Sequence, residues 1–211
     1  MARSKAVRLA AVSAIGVLLA GVSTGVAWGD EPNSQSGIDV SVDIDEISTP
    51  GQVTLTVDAN QGVALTENGS DAAARQFTGV TPSVTVTDSR QPDEIPAGDF
   101  WAVVGQASDF TASGDPTASI GAQYLGWTPH LLSGSSTGSV EAGEPVSSVI
   151  SDGTTAPTVG LTGQELLVST ANSADEIGSW QVNADLILRT PVDVPAGEYH
   201  STLTLSLFDQ S

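Results

Sequence analysis

From Ile38 the chain alternates. Ile38, Val40, Val42 and Ile44 are separated by Asp39, Ser41, Asp43 and Asp45. In an extended backbone successive side chains point to opposite faces, so this pattern predicts a half-buried strand with one apolar and one acidic face. The same period returns at Val53–Val57, after the Thr49-Pro50-Gly51 turn, and at Val84–Thr87, Trp180–Leu186 and Leu203–Leu207. No window of comparable length carries apolar residues at helical spacing, and Gly, Pro, Ser, Thr and Asp recur at intervals that suit short strands. The expected fold is all-β, a single-domain antiparallel β-sandwich. One short helix is predicted around Ser70–Gln76, where Asp71 would cap Ala72-Ala73-Ala74-Arg75. Thr111–Ile120 and Ser133–Thr158, rich in Gly, Ser, Thr and Pro, read as loops between strands.

Two segments echo each other: Ile95-Pro96-Ala97-Gly98-Asp99-Phe100-Trp101 and Val194-Pro195-Ala196-Gly197-Glu198-Tyr199. Each reads as a turn, with Pro fixing φ at the second position and Gly supplying the unusual angle before an aromatic-led strand. Each is expected to join two antiparallel neighbours.

The segment before this alternation has a different character. Arg3, Lys5 and Arg8 precede an apolar run from Ala10 to Ala20, and Gly25-Val26-Ala27 supplies a small-residue cleavage context. This is the pattern of a secretory signal peptide over residues 1–27, with Ala27 the preferred cleavage point and Gly29 the second. Residues 28–37 are a polar spacer, and residues 38–211 are the expected sandwich domain. Once the leader is set aside, three arginines face all 25 acidic residues, hence a net charge of −22. Such a surface repels nucleic acid and anionic headgroups, because binding either needs cations to replace counterions. No membrane insertion is expected after cleavage.

The composition also limits chemistry. Lysine is absent after the leader and cysteine is absent throughout, which removes Lys-Asn isopeptide crosslinks, Schiff bases, thiol nucleophiles and thiolate metal sites. Gly134-Ser135-Ser136-Thr137-Gly138 fits the Gly-x-Ser-x-Gly pattern of a nucleophile elbow. That motif requires a strand before it and a helix after it, whereas here it lies in a Ser/Gly-rich stretch. His130 and His200 have no partner at a diagnostic spacing. Asp39, Asp43, Asp45 and Glu46 read as a solvated strand face rather than a calcium site, since acids two residues apart project in parallel. No cofactor and no catalytic residue are expected.

The aromatic residues give the binding candidates. Trp180 alternates in phase with Val182, Ala184, Leu186 and Leu188 and is assigned to the core. Trp127 lies among turn residues in Tyr124-Leu125-Gly126-Trp127-Thr128-Pro129-His130, so a partly exposed ring is expected there. Phe100 and Trp101 must face opposite ways. Trp127, Trp101 and Tyr124 are the candidate contact residues, since exposed rings stack on sugar faces.

A family resemblance enters at the C-terminal end. Tyr199-His200-Ser201-Thr202-Leu203-Thr204-Leu205-Ser206-Leu207 resembles the distal Y-x-x-x-L-T-W-T-L signature of WxL-domain surface proteins of Gram-positive bacteria, with Leu205 at the tryptophan position. Val84-Thr85-Val86-Thr87-Asp88-Ser89-Arg90 followed by Trp101-Ala102-Val103 resembles the family's strand ending in Asp-x-Arg before a Trp-led strand, with Val103 in place of leucine. The similarity runs from about Val84 to Phe208. It implies non-covalent attachment to the cell wall through peptidoglycan, alongside other surface proteins. An LPxTG motif and a lipobox cysteine are both absent.

The expectation is an exported, non-catalytic surface protein that binds peptidoglycan or a protein partner at the cell surface. Three further readings make distinct demands, of which the last, an enzyme, needs a concave pocket with converging carboxylates or histidine. A carbohydrate-binding or adhesin-like module needs exposed rings in a shallow cleft. A structural subunit of a surface layer or fibre needs an open, uncharged edge strand available for β-addition.

Overall fold

A computed structural model describes residues 50–58, 62–150 and 159–210, all of which belong to one compact unit. The signal peptide, the spacer, the predicted strand at Ile38–Asp45 and the acidic group Asp39, Asp43, Asp45 and Glu46 lie outside the described residues.

The alternating segments form strands where the pattern places them. β1 spans Val53–Val57 and β2 Thr66–Glu67. β3 (Ala74–Val80) and β4 (Val84–Asp88) run back antiparallel to them, Val53 opposite Asp88 and Thr66 opposite Thr78. These four pieces make one long interrupted hairpin. Its tip occupies the predicted helix. Asp71 accepts hydrogen bonds from the amides of Ala73 (2.7 Å) and Ala74 (2.9 Å), as a helix cap would, but Ala74 then enters β3. The carboxylate caps a hairpin turn because Gln76 and Phe77 have strand partners, Arg189 and Leu188, that a single helical turn would forfeit.

β11 (Gly178–Pro191) is the spine of this sheet. Its first residues pair with β4 and its last seven with β3, while its other edge pairs with β8 (Leu125–Leu131). The six-stranded sheet therefore has the order β1-β4-β11-β3-β2, with β8 on the far side of β11. A second sheet has the order β13-β5-β10-β9, from β5 (Trp101–Ala107), β9 (Val140–Ala142), β10 (Glu165–Thr170) and β13 (Leu203–Asp209). β6 (Phe110–Ala112), β7 (Ser119–Ile120) and β12 (Tyr199–His200) form a small third sheet. The segments expected to be loops thus contribute β6, β7 and β9, short strands whose polar residues pair with neighbours supplied from elsewhere in the chain.

Both Pro-Ala-Gly turns carry the chain between sheets instead of joining antiparallel neighbours. The first leads from β4 of the six-stranded sheet to β5 of the four-stranded one; the second leads from β11 to β12. In the first, the Asp99 amide donates to the Pro96 carbonyl (3.1 Å) and Gly98 has φ 81°. Pro96 therefore opens the turn, and Gly98 takes the position that requires positive φ. In the second, the Tyr199 hydroxyl donates to the Pro195 carbonyl (3.0 Å) and closes the turn from the side.

The core fills the space between the two larger sheets. Trp101 and Trp180 meet across it with ring centroids 5.4 Å apart. Trp180, Val182, Ala184, Leu186 and Leu188 are all buried, as their alternation predicts.

Candidate binding cleft

A cleft of about 570 Å³ lies between the two sheets. One wall is the outer arm of the long hairpin, with Leu55, Val57, Val63 and Leu65. The other is the start of β13, with Leu203 and Leu205, and the floor is Leu125, Trp127, Leu167 and Leu186. Thr81, Ser201 and Thr202 supply its polar edge, and no described lining residue is charged or titratable.

The strands that form the rims set the cleft apart. β1 pairs with β4 and β13 with β5, and among the described residues neither has a partner on its other side. Hydrogen bonds at the strand ends show which backbone groups are free. The Asp58 amide donates to Ser83 (2.8 Å) and the Ser89 amide to the Gln52 carbonyl (3.1 Å). Even-numbered residues of β1 therefore face β4, and Val53, Leu55 and Val57 turn their amides and carbonyls outward. Likewise Ser108 donates to the Thr202 carbonyl (2.9 Å) and Gln210 to the Phe100 carbonyl (3.2 Å), so Leu203, Leu205 and Leu207 face away from β5. Neither rim contains a charged residue within Val53–Val57 or Leu203–Phe208, and neither contains proline.

The aromatic candidates lie elsewhere than expected. Trp127 is 1% exposed and Trp101 is 0% exposed, so neither offers a ring face to a glycan. Trp101 is inward because β5 buries Trp101, Val103, Gly105 and Ala107, which sends Phe100 outward at 40% exposure. Trp127 is inward because Pro129 and Gly126, read as turn residues, belong to a strand. Pro129 is tolerated on β8, which among the described residues pairs in register only with β11 and touches Val146 through a single bridge at Trp127. Gly126 admits the Pro145–Ser148 segment, because a Cβ there would lie 2.4 Å from the Val146 carbonyl oxygen. Trp127 reaches the floor of the cleft with its ring edge over Gly105, where a Cβ would stand 2.4 Å from the indole. Tyr124 is half-buried against the core, in a single 3-10 turn.

The Asp-x-Arg pair of the family resemblance forms a buried ionic cluster. Arg90 holds Asp88 with Nε (2.9 Å) and Nη2 (2.7 Å), and its Nη1 reaches Asp99 (2.7 Å) and Asp209 (3.3 Å). The hydrogen bonds that it donates to Asp88 raise the guanidinium further above its ordinary range. Sequence reasoning missed Asp99 and Asp209, which lie 9 and 119 residues from Arg90. The cluster ties the end of β4, the start of β5 and the end of β13 together, with Asp209 opposite Trp101. Tyr199, Leu203, Leu205 and Leu207 pack against the core.

The Gly-Ser-Ser-Thr-Gly loop lies between β8 and β9. Ser135 Oγ, the Ser136 amide and Thr137 Oγ1 all donate to the Glu176 carboxylate. These bonds, that of Ser135 first, hold the Glu176 carboxyl down to about 2. His130 pairs with Asp185 (3.0 Å) with both side chains about half exposed, and His200 lies 3.6 Å from Glu198 on an open surface. Neither histidine lines the cleft. No group of three or more His, Asp or Glu among the described residues is arranged to hold a metal ion, and no helix among them is long and apolar enough to cross a membrane.

No protein-family model matches the chain, and no curated protein matches it. Among solved structures it is similar to a chain of a chaperone–tip adhesin complex described as vital for synergistic activation of CFA/I fimbriae biogenesis. The identity is 12% and the TM-score 0.45, over 77% of this chain and 43% of that one. The chain therefore spans less than half the length of that neighbour.

Proposed function

We propose that this is an exported, non-catalytic surface protein that associates with the cell wall through a protein or peptidoglycan partner. The observation that carries the reading is the cleft between β1 and β13, which is apolar, free of titratable lining side chains and bounded by two uncharged strand edges. The described lining combines leucine, valine and tryptophan with Thr81, Ser201 and Thr202 and holds no acid or base beside those hydroxyls, which favours binding over catalysis. The leader sequence supports export, and the WxL resemblance supports a location at the wall.

The burial of Trp101 and Trp127 weighs against glycan stacking at those rings and turns the reading towards a protein partner. The absence of a partner on these rims among the described residues supports β-addition, as a surface-layer or fibre subunit would use it. A pull-down of the chain from Trp28 with isolated Gram-positive walls tests this. Retention on walls with their surface proteins in place supports it; passage through both these walls and bare peptidoglycan contradicts it.

A further inference from the structure

We propose that the cleft is a receptor for one extended peptide strand of a partner protein, with small apolar side chains at alternate positions and basic residues between them. The proposal rests on the non-catalytic binding reading above and assigns it a site and a partner chemistry.

The rims argue for a strand instead of a compact small molecule. An edge strand that presents free amides and carbonyls normally carries a charge, a proline or a bulge that prevents pairing. Among the described residues β1 carries none of these and β13 carries only the charge of Asp209 at its last position, and their registers with β4 and β5 run without a shift. The outward backbone groups of Leu55 and Val57 on one rim, and of Leu203 and Leu205 on the other, stand beside the apolar walls that the same residues build. A strand laid along either rim places alternate side chains into the cleft and returns the others to solvent. The volume of about 570 Å³ accommodates several aliphatic side chains.

Charge decides the outward positions. After the leader the chain has three arginines, and each is engaged: Arg75 with Glu67, Arg90 with three carboxyl groups, and Arg189 with Gln76 and Asp71. No described residue of the cleft is cationic. Asp58 follows the β1 rim, while Asp209 at the end of the β13 rim is already paired with Arg90, so the outward field comes from Asp58 and the net charge of −22. A strand with lysine or arginine on its solvent face meets a complementary field, and an acidic strand meets repulsion.

The test uses the chain from Trp28 and dye-labelled synthetic peptides of alternating lysine and valine, read by fluorescence anisotropy. The predicted result is saturable binding that weakens about fivefold between roughly 50 and 500 mM salt and about tenfold or more with Val57→Lys. Val57 is 48% exposed, so the variant is expected to fold, which its thermal melt verifies. Leu132→Lys, at a position 51% exposed and outside the cleft, should bind as the wild type does. Equal binding of a peptide N-methylated at alternate residues, or of a glutamate–valine peptide, overturns the proposal. So does no binding, or binding that needs removal of residues 28–45, which would mean the chain carries its own occupant. Cis-parinaric acid that binds and is lost with Val57→Lys, with no peptide binding, also overturns it in favour of a lipid. Wall retention without peptide binding refutes this proposal alone; loss of both refutes the broader reading as well.

Discussion

Arg90 and Asp88 form a two-pronged ion pair inside the protein, Nε to Oδ1 at 2.9 Å and Nη2 to Oδ2 at 2.7 Å, with the side chains 4% and 0% exposed. Two residues at the end of one strand thereby create a buried fork whose remaining arm, Nη1, reaches Asp99 and Asp209 from other parts of the chain. Removing the guanidinium leaves carboxyl groups buried with no counter-charge. Arg90→Met should therefore destabilise the fold by about 3–5 kcal/mol, read as a lower urea midpoint. An unchanged midpoint would show that the cluster contributes nothing to stability.

Gly105 and Trp127 give a second expectation. A methyl group at Gly105 would approach the indole to 2.4 Å, and Leu205 to 3.1 Å. Gly105→Ala should cost about 1–3 kcal/mol through overpacking and shift the tryptophan emission, because the ring on the cleft floor must move. A melting temperature equal to the wild type would contradict this packing.

The three core tryptophans should be closed to solvent. In a chain that starts at Asp30, and so lacks Trp28, acrylamide should quench the fluorescence poorly, since Trp101, Trp127 and Trp180 are at most 3% exposed. Efficient quenching would place one ring at the surface. Trp101→Ala should cost about 3–5 kcal/mol.

How much of this was legible in the sequence depends on the range of the interaction. Alternation is local, so β1, β4, β11 and β13 stand where Val53–Val57, Val84–Thr87, Trp180–Leu186 and Leu203–Leu207 place them. Pairing is not local. Nothing in Val53–Val57 says that β1 lies at a sheet edge, so the cleft and its rims became visible only with the topology. Trp127 was misread because Gly126 and Pro129 signal a turn on their own. Both are strand residues here, as Gly126 is met by the Val146 carbonyl and Pro129 lies on a lightly paired strand. Asp71 shows the converse: its capping chemistry was legible, but the element that it caps was decided by β11, more than 100 residues away.

Acid should loosen the loop between β8 and β9. The Glu176 carboxyl titrates at about 2 in the folded protein, below its ordinary 4.5, because Ser135, Ser136 and Thr137 donate to its charged form. A lowered folded value adds stability above pH of about 4.5, and this is lost as pH falls towards about 2. Glu176→Gln should flatten the pH dependence of stability in that window. A wild-type and a variant profile of the same slope would contradict the assignment.

The cleft between β1 and β13 is proposed to bind this protein to its surface partner. Its most direct test is retention of the wild type and Val57→Lys, side by side, on isolated walls that keep their surface proteins. The wild type should be retained and the folded variant held about tenfold less. Equal retention of the two would contradict it.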